Sequence, residues 1–241
     1  MSTILHIESA TRVCSVALSK NGQLLVLRET HETDYAHSRL LTVYISEVME
    51  QAGVDLPGLS AVAVSQGPGS YTGLRIGVSA AKGICYGLDI PLIAVDTMEA
   101  MTYQCRDYLR SQPDFVSPES LEAYYCPMID ARRMEVYHAL YNHRMECRQP
   151  VRAAIIEQDT FRSLLEEHKV LFFGDGAAKC QSLINSPNAL FLKDVLPSAK
   201  GMLIPAQRKF DERTFEDTAY FEPFYLKDFV AGKPRVKGLH G

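Results

Sequence analysis

The sequence predicts an α/β protein made of two similar halves, and three observations carry that prediction. First, Asn21-Gly22 separates the apolar runs Val13–Ser19 and Gln23–Arg28, a strong hairpin signal. Second, strand-like and helix-like segments alternate between residues 38 and 95, which favours parallel pairing. Third, the opening recurs. ILHIESATRVCSVALSKNG can be laid over CPMIDARRMEVYHALYNHR, so that Glu8 meets Asp130 and Ala17-Leu18 meets Ala139-Leu140. Identity between the halves is weak, but a strand ending in a carboxylate and followed by a hairpin occurs twice.

Composition narrows the function classes. At 241 residues the chain can form one large domain or two small ones. It is 46% hydrophobic and 22% charged, which is globular and not disordered. The net charge of −4 argues against strong nucleic-acid binding by the chain alone, though a local basic patch is compatible with it. No 18-residue apolar run is present, so no membrane span is expected. MSTILHIESAT reads as a first strand and not as a signal peptide. The six cysteines are scattered without C-x-x-C, as expected of reduced thiols in a cytoplasmic protein.

The elements follow in order. Thr3–Ile7, Val13–Ser19 and Gln23–Arg28 form three antiparallel strands. A helix covers Ser38–Gln51, with Leu40, Leu41, Tyr44, Ile45 and Val48 on one stripe and Val43 and Met49 outside it. Gly53 ends it. Leu59–Ser65 is a buried strand, Thr72–Tyr86 a helix and Pro91–Val95 a strand. Ser111–Ser120, with two prolines, connects the lobes. The second half has strands at Tyr124–Ile129, Glu135–Tyr141 and Met145–Val151. Then come a helix at Asp159–His168, a strand at Val170–Gly174 and helices at Ala177–Asn185 and Ser198–Arg213. Residues 1–104 are expected to form the N-terminal lobe and 105–241 the C-terminal lobe, with 214–232 packing back on the former. The tail carrying Lys233, Arg235 and Lys237 reads as solvated.

SQGPGSYTGLRIG is the most informative segment. Gly67-Pro68-Gly69 forces a tight turn, and Ser70 or Thr72 can cap the next helix. That helix start either binds an anion or simply packs a strand-to-helix turn. It is no Walker loop, because no Gly-Lys-Ser/Thr follows. Gly73, Gly77, Ala80, Ala81, Gly83 and Gly87 make the helix rich in small residues, although each glycine costs about 1 kcal/mol relative to alanine. Something must pack close to it, either the other lobe or a partner. Glu8 and Asp130 either face each other across a cleft and hold Mg²⁺, or accept backbone N–H groups at strand ends. Gly174-Asp175-Gly176 is a second phosphate loop or a turn. No H-E-x-x-H or G-x-S-x-G is present; His138 and His143 are expected to face solvent.

The repeated strand–helix pattern resembles the two-lobed actin-like/sugar-kinase/heat-shock ATPase-type fold, each lobe a mixed sheet with helices. Within it, SQGPGSYTGLRIG resembles the hallmark of the TsaB (YeaZ) family, and the likeness extends to ILHIESAT, VDTMEAM, MIDARRMEVY, FFGDGA and FYLKDFVA. Glu8 stands where many relatives have Asp, and Tyr71 where many have Phe. The resemblance implies a bacterial, cytoplasmic partner of the TsaD protein, a paralogue of the same fold. With TsaE, an ATPase, the pair makes N6-threonylcarbamoyladenosine next to the anticodon of tRNAs that read codons starting with A. A further enzyme supplies threonylcarbamoyl-adenylate. The catalytic paralogue carries a metal-binding H-x-x-x-H where this chain has Thr97 and Met101, so the resemblance implies a non-catalytic chain without a metal site or catalytic residues. It also implies pairing through the N-lobe helices, with Arg39, Leu40, Val43 and Tyr44 on one and Tyr71, Leu74, Arg75, Gly77, Val78 and Ala81 on the other. Glu8, Gly67, Gly69, Ser70, Asp130, Gly174 and Gly176 would form a remnant nucleotide or anion site. ATP and Mg²⁺ are expected at the level of the complex, tRNA only through the complex, and a homodimer when the chain is alone. The alternatives are an ATP-dependent phosphotransferase of the same fold, with Glu8 and Asp130 around Mg²⁺, and a metallopeptidase.

Overall fold

A computed structural model describes residues 1–30, 37–112 and 122–227. The linker around 113–120 and the tail with Lys233, Arg235 and Lys237 lie outside the described residues. The N-lobe sheet contains β1 (Thr3–Glu8), β2 (Cys14–Lys20), β3 (Gln23–Thr30), β4 (Ala61–Gly67) and β5 (Leu92–Asp96), in the order β3-β2-β1-β4-β5. β1, β2 and β3 pair antiparallel, and β4 and β5 join in parallel. The C-lobe sheet contains β6 (Tyr124–Asp130), β7 (Glu135–Tyr141), β8 (Cys147–Ile155), β9 (Val170–Phe173) and β10 (Ala189–Leu192), in the order β10-β9-β6-β7-β8. Numbered from its own first strand, each sheet reads 3-2-1-4-5. The internal repeat is therefore a repeat of topology, and the fold is the expected two-lobed α/β arrangement. Asn21 and Gly22 take φ of 50° and 75°, as a two-residue hairpin turn requires.

The helices are α1 (His37–Ala52), α2 (Tyr71–Leu88), α3 (Thr97–Arg110), α4 (Arg162–Glu167), α5 (Ala177–Cys180) and α6 (Leu203–Asp211). Three expected helices are shorter, and Asp159–His168 contracts to α4. Ala177–Asn185 shrinks to the single turn of α5, and Ser198–Arg213 splits into a 3-10 turn at Ala199–Met202 and α6. α3 and β10 were not anticipated. β10 is a half-buried edge strand of only four residues.

Both faces of each sheet are covered, which is why β1 and β4 are buried along nearly their whole length. Leu5, Ile7, Val62 and Val64 face α1 and α2, where Leu41, Ile45, Val48 and Met49 complete the core. Met49 thus joins the apolar stripe instead of lying outside it. Ile4, Ala63, Ile93 and Val95 face the other way, onto Ala199, Met202, Leu203 and Ala206. In the C-lobe, α3 buries Met98, Met101, Cys105 and Leu109 against Tyr125, Ile129, Leu171 and Phe173. Ala100 of the same helix packs on the N-lobe, so α3 spans the division placed at residue 104. His138 is not solvent-facing. It is fully buried, its Nε2 accepts a hydrogen bond from Arg152 Nε at 3.1 Å, and burial lowers its pKa to about 4.

After α6 the chain returns along the N-lobe. Glu216 N–H donates to Leu92 O at 2.9 Å and Phe224 N–H to Gln66 O at 2.7 Å. Lys82 Nζ holds the carbonyls of Ala219 and Phe221, each at 3.1 Å. Tyr225 packs its ring 4.9 Å from that of Tyr71 and accepts from Arg75 Nε at 3.2 Å. Lys227 then reaches Glu135 of the C-lobe. This strap, residues 214–227, lies over the loop that precedes α2.

Candidate functional site

Two turns follow the two strand-end carboxylates, and a glycine loop packs on each. In the N-lobe, Glu8 is fully buried. Its Oε1 accepts the Ala10 N–H at 2.6 Å, and its Oε2 is buried without a hydrogen-bond partner among the described residues. Burial pushes its pKa up to about 7, with the Ala10 N–H, the Ser65 hydroxyl and the Ser9 N–H opposing. Glu8 thus stands as a sealed carboxyl at the end of β1.

The loop Gly67-Pro68-Gly69-Ser70 is filled from two sides. A side chain at Gly69 would stand 2.2 Å from Ala10 O, and one at Gly67, whose φ is +115°, would stand 2.5 Å from Phe224 O. Ser70 N–H donates to Ala10 O at 2.6 Å, and Ser70 Oγ accepts from Gly73 N–H at 3.3 Å. The Ser70 N–H and hydroxyl therefore serve the turn and the helix start. The same closeness explains part of the small-residue helix. Cβ atoms at Gly73 and Gly77 would each lie 2.2 Å from atoms of Ser9, whereas Gly83 and Gly87 face open space.

The C-lobe turn differs. The Asp130 side chain is 47% exposed, and Lys179 Nζ binds its Oδ1 at 2.5 Å. The same ammonium donates to the carbonyls of Arg133 at 2.8 Å and Glu135 at 2.6 Å. Partial burial raises the Asp130 pKa, but Lys179 and the Arg132 N–H outweigh it, and the net direction is down. Asp175 Oδ1 accepts the Asp130 N–H at 2.9 Å, and burial raises the Asp175 pKa. Gly174 takes φ +98°, and a side chain there would meet Met128 O at 2.2 Å. Gly176 packs on Ile129. The Gly174–Gly176 segment makes a close turn against the end of β6. Sequence reasoning missed Lys179, although its place one turn after FFGDGA was a usable signal.

VDTMEAM forms the end of β5 and the start of α3. Asp96 caps the helix by accepting the Glu99 N–H at 2.9 Å, and Glu99 itself pairs with Arg208 at 3.0 Å. Thr97 and Met101 are fully buried. Among the described residues, no three His, Cys, Asp or Glu side chains come together as metal ligands.

The expected partner face divides in two. Leu74, Gly77, Val78 and Ala81 are buried against the chain's own sheet, so they support α2 from beneath and do not line an outer surface. Leu40 and Tyr44 are half-buried on the same core. Arg39 and Arg75 are exposed, and Tyr71 is half-buried beside Tyr225. Val43 is 45% exposed, and Tyr86, which the sequence reading left out, is 86% exposed. Among the described residues no helix is long and apolar enough to cross a membrane.

The chain is similar to known proteins over nearly its whole length. The family model for "TsaD: tRNA N6-adenosine threonylcarbamoyltransferase" matches residues 31–234. An Escherichia coli protein called tRNA threonylcarbamoyladenosine biosynthesis protein TsaB is 30% identical, with 95% of this chain and 96% of that one covered. Its Haemophilus influenzae namesake is 27% identical, with 96% of each chain covered. A Pseudomonas aeruginosa crystal structure, described as similar to peptidase YeaZ, superposes with a TM-score of 0.76 at 25% identity, covering 94% of this chain and all of that one. The strand order, the SQGPGSYTG loop and these likenesses agree: the chain belongs to the TsaB (YeaZ) family.

Proposed function

We propose that this chain is a non-catalytic partner of the TsaD protein in the assembly that makes N6-threonylcarbamoyladenosine in tRNA. The names of relatives covering 95% or more of the chain support the pathway. One observation carries the non-catalytic part. The glycine loop that would cradle phosphates is filled by Ala10 O and Phe224 O, above a sealed Glu8. In this reading TsaE supplies ATPase activity, ATP and Mg²⁺ act at the level of the complex, and the setting is cytoplasmic. The docking surface is the outer side of α1 and α2, around Val43 and Tyr86. An uncovered apolar helix pair would also support a homodimer of the chain alone.

An omission assay tests the role. TsaD, TsaE, the adenylate-forming enzyme, ATP, threonine, bicarbonate and tRNA are mixed with and without the chain. Product is expected only with it, and equal product without it would refute the role. Val43→Glu with Tyr86→Glu should abolish co-elution with TsaD while the fold persists. Survival of the heterodimer on size-exclusion chromatography would refute this surface.

A further inference from the structure

The β6–β7 turn presents two adjacent arginines in an unusual backbone. Arg132 and Arg133 have φ of 71° and 51°. The shorter β2–β3 turn also places two consecutive residues at positive φ, Asn21 and Gly22, which suit it, whereas the β6–β7 loop, closed by Ala131 N–H to Glu135 O, includes Met134 as well. Arginine suits positive φ poorly, because its Cβ crowds the backbone. The surroundings hold the turn in place. Asp130 Oδ1 accepts the Arg132 N–H at 2.7 Å, and Lys179 clamps the carbonyls of Arg133 and Glu135. The turn does not need arginine side chains, yet it exposes two of them.

Neither guanidinium has a hydrogen bond or ion pair among the described residues. The nearby acids are already engaged: Asp130 by Lys179, Glu135 by Lys227, and Asp175 by the Asp130 N–H. Strained backbone that its surroundings over-determine is characteristic of functional positions. Two exposed, planar guanidiniums on adjacent residues can each bind the oxygens of phosphate esters.

We propose that Arg132 and Arg133 form a phosphate-binding tip that contacts the RNA backbone of the tRNA substrate. This rests on the function proposed above. An RNA backbone fits better than a free nucleotide, because the arginines stand exposed at a hairpin tip while the loops beneath are packed by the chain's own atoms. With a net charge of −4, the chain alone holds RNA only weakly and at low salt, and the contact adds to the affinity of an assembly.

The test uses the full-length chain assembled with TsaD, titrated with labelled tRNA at several salt concentrations. The variant Arg132→Asn with Arg133→Gly removes both charges and gives the turn its preferred residues. It is expected to melt no lower than the wild type and to assemble normally. Its tRNA affinity should fall at least about fivefold, and the slope of log affinity against log salt should shrink by about 1.5. Arg132→Lys with Arg133→Lys should retain most of the binding. Unchanged affinity and slope in the Asn-Gly variant would overturn the proposal. So would a loss produced only by Lys233→Ala, Arg235→Ala and Lys237→Ala, or a loss confined to ATP binding. Failure of the wild-type chain to assemble with TsaD would instead count against the proposed function. Salt-dependent tRNA binding by the chain alone, with and without the double substitution, would then still decide the tip.

Discussion

Glu8 closes β1 and Asp130 closes β6 in two sheets of identical strand order, yet Glu8 is fully buried while the Asp130 side chain is 47% exposed. Burial raises the pKa of the N-lobe carboxyl to about 7 while the Ala10 N–H donates to it. The C-lobe carboxylate is kept ionised by an ammonium. The turns that follow differ accordingly: small Ser9 and Ala10 press into the glycines of the loop and α2, whereas Arg132 and Arg133 stand in solvent. The helix after the glycine loop has 18 residues in one lobe and 4 in the other. Repetition has thus preserved strand order and the close approach of the glycine loops. It has not preserved the chemistry at the strand ends.

The largest effects should fall where the lobes agree. Gly69→Val and Gly174→Val each force a side chain to about 2.2 Å from a backbone oxygen, so each should cost more than about 4 kcal/mol and abolish cooperative thermal unfolding. Gly83→Ala, in open space, should stabilise by up to about 1 kcal/mol. A normally folded Gly174→Val would break the comparison.

Glu8 sharpens it. Its folded pKa of about 7 exceeds the ordinary glutamate value of 4.5, so between these values the folded state binds the extra proton. Stability from this group therefore falls as pH rises from about 4.5 to 7, by about 3 kcal/mol in all. His6 and His138, whose pKa values are lowered by burial to about 3 and 4, act in the opposite direction as pH rises towards 6.5. The difference between Glu8→Gln and wild type isolates Glu8. Urea denaturation should show the variant gaining on the wild type across that range, and a pH-independent difference would contradict the sealed carboxyl.

Lys179→Met leaves two carbonyls and the Asp130 carboxylate without their donor, a loss of about 1–3 kcal/mol by the same measurement. Asp130→Asn should be the mildest, within about 1 kcal/mol, because its pair is half exposed.

Much of the fold was legible because local signals agreed with it. Asn21-Gly22 marked its hairpin, and the twofold opening marked the lobes. α3 is legible in the spacing of Met98, Met101, Cys105 and Leu109, but its polar residues between them weaken the apolar signal. The functional site was less legible. A strand-end carboxylate reads the same whether buried or exposed, and only tertiary packing distinguishes Glu8 from Asp130. The small residues of α2 also carry two different meanings. Gly73 and Gly77 answer the turn at Ser9, a contact some 65 residues away in sequence, while Gly83 and Gly87 answer nothing within the described chain. Spacing alone cannot separate them. The strap was legible only as a C-terminal segment packing back, and the roles of Tyr225 and Lys227 depend on where it ends.

The most direct test is reconstituted N6-threonylcarbamoyladenosine synthesis with the Glu8→Gln, Asp130→Asn double variant in place of the wild-type chain. Product at the wild-type rate, with the heterodimer intact, is the predicted result. Loss of product from an intact heterodimer would mean that these carboxyl groups perform chemistry, and the account of a non-catalytic partner would be wrong.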